Sequence, residues 1–150
     1  MQDLLQIYIL DKLGFKAKKQ AKQTQNKQTQ DYHNKHDLEQ KLGTVVKLTT
    51  DDEWQHALQL SKKMPLVVDF TAEWCGPCQK IKPLYLELAA SNPNMLFVQV
   101  DVDELQEVSQ EARVMAMPTF QVYRNGEMSS KATGAVEKNI RALVEEAASA

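Results

Sequence analysis

The two cysteines of this 150-residue chain, Cys75 and Cys78, stand three positions apart in the stretch TAEWCGPCQK. A pair at this spacing can be half of a metal site, a structural disulfide or a thiol pair that opens and closes. A zinc site needs two further ligands, and only His33 and His36 have a metal-like spacing, in a polar segment where we expect them to face water. A disulfide closing so small a loop constrains the unfolded chain little. We therefore expect no metal site, and redox chemistry remains.

The elements on either side of the pair indicate how it would react. PLVVDFTA, residues 65–72, is a nearly continuous apolar run of strand length, typical of a central strand covered on both faces. A helix is predicted to begin just after Cys75, so the first sulfur would lie near unpaired backbone N–H groups that favour a thiolate. Cys78, one turn further on, would then be placed to attack a disulfide formed by Cys75.

The remainder of residues 44–150 has the pattern of an alternating α/β domain. Thr50 and Glu53 predict a capping box at a helix N-terminus, and Asn125-Gly126 predicts the turn of a hairpin. Strands are predicted at 44–49, 65–72 and 95–102 and on both sides of the hairpin turn, and helices at 50–63, after Cys75 with a kink at Pro83, at 104–113 and at 135–148. The predicted order is βαβαβαββα.

Charge divides the chain into two parts. Residues 1–43 hold eight lysines and five acidic residues, a net charge of +3, whereas residues 44–150 hold ten basic and fifteen acidic residues, a net charge of −5. The whole chain has a net charge of −2 and 43% apolar residues, which gives no indication of nucleic-acid binding or of a membrane span. We expect residues 1–43 to be an extension and residues 44–150 to be the folded domain.

Most of the extension, residues 16–41, consists of Lys, Gln, Asn and Thr, and we expect it to be flexible because it has little to bury. Before it, apolar residues recur at a spacing that predicts a short amphipathic helix; these are Leu4, Leu5, Tyr8, Ile9 and Leu13. A packing appendage is the favoured interpretation, and a helix that contacts a membrane surface or a partner is the alternative. The segment fits neither a secretory signal nor a mitochondrial presequence, so we expect a cytosolic protein.

Several short motifs, in a fixed order, resemble the thioredoxin family, and particularly its eukaryotic cytosolic members. They are WCGPC at 74–78, the Asp69-Phe70 pair before it, Pro83, MPTF at 117–120, the Asn125-Gly126 turn and Gly134. The resemblance covers about Thr44 to Ala148. It implies an α/β three-layer sandwich with a central mixed five-stranded sheet and four flanking helices. It also implies a protein-disulfide reductase that binds no cofactor and receives electrons from NADPH through a thioredoxin reductase.

The resemblance implies roles for individual residues. Cys75 would be the exposed attacking thiolate, and Cys78 the buried resolving thiol. Asp69, a carboxylate within an apolar strand, would have its pKa raised by burial and would accept the proton of Cys78. The alternative for Asp69 is a core residue satisfied by hydrogen bonds.

Other positions would shape or flank the site. Gly76 and Pro77 would form the turn between the cysteines, as in the reducing members of the family. Pro118 would be a cis-proline whose loop faces the cysteines, with Met117 and Thr119 beside an incoming peptide. The supporting set also includes Gly134, and the residues expected to form an apolar docking patch are Trp74, Met117 and Ala135. Trp54 and Phe70 are expected in the core.

Two residues depart from patterns common in the family. Gln99 stands where many bacterial members have a lysine near the buried aspartate, so Asp69 would be protonated more easily. Gln79 replaces a lysine that is common after the second cysteine. Two other functions stay open from the sequence: a thiol oxidase or isomerase, and a binding or adaptor protein that uses the same fold.

Overall fold

The computed structural model describes residues 38–150, and the predictions for residues 1–37 lie outside the described part. The strands are β1 (Val45–Leu48), β2 (Leu66–Thr71), β3 (Leu96–Asp101), β4 (Thr119–Arg124) and β5 (Glu127–Thr133). The helices are α1 (Asp51–Leu60), α2 (Gly76–Ser91), α3 (Gln106–Glu111) and α4 (Glu137–Ser149). The predicted order βαβαβαββα is confirmed, with element ends displaced by a few residues.

The strands form one mixed sheet in the order β1-β3-β2-β4-β5. β1, β3 and β2 are parallel, while β4 runs antiparallel to β2, and β5 antiparallel to β4. All six residues of β2 are buried, which confirms the central strand predicted from its unbroken apolar run. The carboxyl end of this strand leads directly into the cysteine loop.

Each face of the sheet is covered by helices, as expected for a three-layer sandwich. On one face α1 and α3 pack against alternate residues of β2 such as Val68 and Phe70, and Trp54 is 3% exposed there. On the other face α2 and α4 pack against Val67 and Phe120. Trp54 and Phe70 are therefore core residues, as predicted, with their ring centroids 6.3 Å apart.

Local sequence signals explain where several elements begin and end. The Thr50 side chain accepts a hydrogen bond from the Glu53 backbone N–H, and the Glu53 carboxylate accepts one from the Thr50 backbone N–H, so the capping box is confirmed. Asn125 and Gly126 have φ values of 55° and 82°, the positive angles that a two-residue hairpin turn requires. A β-bulge between Val122 and Tyr123 was not predicted.

Packing begins before Thr44, where the sequence placed the start of the domain. Leu38 is only 5% exposed and belongs to the same core cluster as Trp54, and Leu42 packs against that cluster. By contacts, residues 38–150 belong to one unit. Residues 38–43 thus contribute apolar contacts that the polar composition of the surrounding segment concealed.

Within residues 38–150, no helix combines the length and the apolar character needed to cross a membrane.

Candidate active site

The two cysteines are joined by a disulfide at the start of α2. Cys75 is the N-cap of this helix, and its sulfur accepts a hydrogen bond from the backbone N–H of Cys78 at 3.3 Å. Gly76 and Pro77 occupy the first turn, where a proline costs no hydrogen bond because those N–H groups have no partner within the helix. A sulfur held at this position is favoured as a thiolate by the helix dipole and by the free N–H groups.

The exposure expected for Cys75 is not seen in this oxidised form. Cys75 is 6% exposed and Cys78 is 2% exposed, so both residues are largely covered. Ala72 and the cysteines form a small apolar cluster, against which Met117 packs. The expected difference in reactivity between the two thiols therefore depends on their positions along the helix more than on their accessible areas.

A second loop lies against the disulfide, from a distant part of the chain. The Met117-Pro118 peptide bond is cis, as the resemblance implied, and the carbonyl oxygen of Met117 lies 3.9 Å from the Cys75 sulfur. Gly134, with φ of 93°, donates its backbone N–H to the Pro118 carbonyl at 2.8 Å. This bond joins the loop before β4 to the loop before α4.

The predicted docking residues differ in their accessibility. Trp74 is 69% exposed and donates its Nε1–H to an Asp103 carboxylate oxygen at 2.8 Å. Ala135 is exposed and Met117 is half-buried, so these two can contribute to a surface beside the disulfide. Thr119 is only 3% exposed, and its hydroxyl donates to the Ala116 carbonyl at 2.6 Å. This bond braces the loop, and the position of Thr119 beside an incoming peptide stays a prediction.

Asp69 lies in the middle of β2 and is 1% exposed. Burial raises its pKa to about 7, and the hydrogen bond from Gln99 and the charge of Lys82 oppose that rise. Gln99 lies opposite Asp69 on β3, and its Nε2–H donates to Asp69 Oδ2 at 3.3 Å. Among residues 38–150, Asp69 Oδ1 has no hydrogen-bond partner. A carboxyl group that titrates near neutral pH can exchange a proton at physiological pH.

A polar cleft of about 320 Å³ lies beside the cysteine loop. Gln99 and Lys82 line it, together with Thr71 and Ala72 at the end of β2 and Gln79 on α2. Gln79 folds back over the loop and donates its amide N–H to the Ala72 carbonyl at 3.3 Å. The two departures from the family pattern, at 79 and 99, thus both face this cleft.

Two further features near the site were missed by sequence reasoning. The carboxylates of Glu73, Asp101 and Glu104 lie within 4.8 Å of one another, and the Lys47 ammonium bonds Glu104 at 2.8 Å and supplies their counter-charge. Met115, two residues before Met117, is 94% exposed. The acidic residues follow the ends of adjacent strands, and that pattern could have suggested their convergence; nothing in the sequence indicated the exposure of Met115.

The chain has two cysteines, Cys75 and Cys78. They lie at the N-terminus of α2, where a thiolate is favoured. The class of protein that the fold and site define is that of the thiol-disulfide oxidoreductases. The thioredoxin family model matches residues 45–146, and the chain belongs to the thioredoxin family.

Similar proteins span the same part of the chain. A thioredoxin from Callithrix jacchus is 38% identical over 102 residues, which are 68% of this chain and 97% of that protein. The crystal structure of thioredoxin NaTrxh from Nicotiana alata has 34% identity and a TM-score of 0.66, covering 69% of this chain and 92% of that one. A structure titled as a complex of ferredoxin:thioredoxin reductase and thioredoxin f2 has 26% identity and a TM-score of 0.67, covering 71% of this chain and 97% of that one.

Membership in this family makes the protein a thiol-disulfide oxidoreductase that works through dithiol–disulfide exchange. The family uses a redox-active disulfide and no prosthetic group. The Cys75–Cys78 disulfide is the oxidised form of that group in this chain.

Proposed function

We propose that the protein is a protein-disulfide reductase in which Cys75 attacks the substrate and Cys78 releases it. The observation that carries this assignment is the position of Cys75 as N-cap of α2, where its sulfur accepts the backbone N–H of Cys78. The same hydrogen bond and helix dipole stabilise a negative charge on Cys75 in the reduced protein. Cys78, inside the first turn, lacks that stabilisation and attacks second.

The reaction consists of two exchanges. The Cys75 thiolate attacks one sulfur of a substrate disulfide, and the other substrate sulfur leaves as a thiolate that takes up a proton. Cys78 then loses its proton to Asp69 and attacks the Cys75 sulfur of the mixed disulfide, which expels the second substrate sulfur as a thiolate that also takes up a proton. The substrate has gained two electrons and two protons, and the cysteine pair has become the disulfide that the structure contains.

The surface around the disulfide supports a protein as the substrate. Trp74 presents a large exposed apolar side chain on one side of the pair, and Met117 and Ala135 lie on loops that Gly134 joins by its bond to Pro118. An extended peptide could place its backbone against the loop of Met117 and its side chains against Trp74. The docking role of these residues is part of the proposal.

Electrons must return to the pair from a partner. We propose an NADPH-dependent thioredoxin reductase, in keeping with the resemblance to cytosolic thioredoxins, and a cytosolic location for the protein. The similar thioredoxin f2 structure is titled as a complex with ferredoxin:thioredoxin reductase. A ferredoxin-linked reductase is therefore the electron donor to compare with the NADPH-dependent one.

Insulin reduction coupled to NADPH oxidation tests the proposal. The full chain, with a thioredoxin reductase and NADPH, should sustain NADPH oxidation that depends on insulin. The Cys75→Ser variant should give only the background rate, because no mixed disulfide can form at position 75. Two results together would contradict the proposed function. The full chain would accept electrons from neither type of reductase, and the protein already reduced by dithiothreitol would leave insulin oxidised.

A further inference from the structure

The two oxygens of the Asp69 carboxyl have different surroundings. Oδ2 accepts a hydrogen bond from Gln99 Nε2 at 3.3 Å, whereas Oδ1 has no partner among the described residues. An oxygen that already accepts an N–H is a poor site for an added proton, because the proton would oppose the donor. Oδ1 is therefore the oxygen that can receive a proton.

Several elements bring groups towards Asp69. From α2 come Lys82, whose charge favours the carboxylate, and Tyr85, which interacts electrostatically with it. The Tyr85 hydroxyl donates to the carbonyls of Val67 and Val98, at 3.0 and 2.7 Å, and so stabilises the strands on both sides. On β4 the residue in register with Asp69 is Phe120, which is apolar.

Asp69 does not line the polar cleft, but two of the residues that act on it do. Gln99 and Lys82 both line it, as does Lys47 from β1, which lies in register with Gln99. Lys47 is bonded to Glu104, so its charge is already paired. Of the charged side chains that line the cleft, Lys82 is the cation that acts on Asp69.

We propose that Gln99 and Lys82 are positioning residues for the proton transfer from Cys78 to Asp69. Gln99 holds Asp69 Oδ2 so that Oδ1 receives the proton. Lys82 favours the ionised carboxylate. This inference rests on the proposed function, because it refines the role of Asp69 in that reaction. The carboxamide of Gln99 cannot itself titrate, so Asp69 exchanges one proton without a coupled partner across the strand pair.

The second exchange moves one proton, forms one S–S bond and breaks another. The Cys78 Sγ–H proton moves to Asp69 Oδ1, and the sulfur electron pair forms the new bond to Cys75 Sγ. The Cys75–substrate S–S bond breaks, and the substrate sulfur leaves with that electron pair. Asp69 afterwards returns the proton to water, with Gln99 and Lys82 favouring its ionised form.

The test measures the protonation of Asp69 without reference to activity. Aspartate is labelled with carbon-13 at the carboxyl group in the full chain, the thiols are kept reduced, and the Asp69 signal is assigned by its loss in Asp69→Asn. Gln99→Leu removes the N–H donor at similar size and should raise the titration midpoint of Asp69 by about one pH unit. Lys82→Gln should raise it by a smaller amount.

Lys80→Gln is the matched control, since it removes the same charge from an exposed position of α2 that does not line the cleft. In Lys80→Gln, the titration midpoint of Asp69 should stay at the wild-type value. A second measurement uses an aromatic disulfide whose reduction releases a coloured thiol in two phases, the second of which reports attack by Cys78. The pH midpoint of that phase should move with the Asp69 midpoint in each variant, while the first phase is unchanged.

The outcomes separate this inference from the proposed function. An Asp69 midpoint unmoved in Gln99→Leu, or moved equally by Lys80→Gln and Lys82→Gln, overturns the roles of the two residues. A midpoint that moves while the second phase keeps its pH profile overturns the proton transfer to Asp69. Failure of wild type to reduce insulin would instead contradict the proposed function, whatever the titration shows.

Discussion

The sulfur of Cys75 lies 3.9 Å from the carbonyl oxygen of Met117, a residue 42 positions further along the chain. This contact sets the start of α2 against the loop that precedes β4, and it places a backbone acceptor beside the reactive sulfur. Trp74, which precedes Cys75 in the sequence, is 69% exposed. In the proposed function, this loop and Trp74 flank the substrate that the Cys75 sulfur attacks.

Trp74→Ala should raise the KM for insulin roughly tenfold, because exposed aromatic residues beside a binding site commonly carry a large share of the binding energy. The melting temperature should change little, since most of the side chain is accessible in the free protein. Leu86→Ala is the control, because Leu86 is 50% exposed on α2 and is not among the predicted docking residues. Equal KM values for the two variants would remove Trp74 from the docking surface.

Asp69→Asn should change how stability depends on pH. Burial raises the pKa of Asp69 from 3.8 to about 7, so the folded state holds the proton more tightly than the unfolded state. The wild type should therefore lose free energy of unfolding relative to Asp69→Asn as pH rises from about 4 to about 7, by about 4 kcal/mol in all. Above that range the difference should be constant. Urea unfolding of both oxidised proteins at several pH values measures it, and parallel curves would contradict the raised pKa.

Truncation should locate the beginning of the folded domain. A chain that starts at Asp37 should keep the melting temperature and the insulin-reduction rate of the full chain, whereas a chain that starts at Thr44 loses Leu38 and Leu42 from the core. In the full chain, Leu38→Ala should lower the free energy of unfolding by about 2–5 kcal/mol, the usual range for a buried leucine. Thermal unfolding of the full chain, the two truncated chains and the Leu38→Ala variant measures these differences. Equal stability of both truncated chains would restore the boundary at Thr44.

Local patterns predicted the elements well because each depends on neighbours in sequence. The capping box at Thr50, the turn at Asn125-Gly126 and the apolar run of β2 were all confirmed. Leu38 and Leu42 were hidden in a polar segment, although their spacing of four is the spacing of one helix face. The positive φ of Arg113, 55°, could not be predicted from the sequence, because arginine has no preference for that conformation.

The site was predictable where a residue type alone carries the chemistry, as with the cysteine pair. The surroundings of Asp69 were only half predictable. The sequence indicated that Gln99 would leave Asp69 without an ion pair, but the hydrogen bond between them depends on the register of β2 and β3. The hydrogen bond from the Thr119 hydroxyl to the Ala116 carbonyl likewise depends on the folded loop.

The central claim is that Cys75 attacks substrates and Cys78 releases them, and trapping the mixed disulfide tests it most directly. The Cys78→Ser protein, reduced and then mixed with insulin, should accumulate a covalent adduct on Cys75 that dithiothreitol reverses, seen on a non-reducing gel and located by mass spectrometry of peptides. Cys75→Ser, treated in the same way, should give little adduct. In the reduced wild type, iodoacetamide should label Cys75 faster than Cys78 at neutral pH. Stable adducts on Cys78 in the Cys75→Ser protein, or equal alkylation rates at the two thiols, would contradict the assignment.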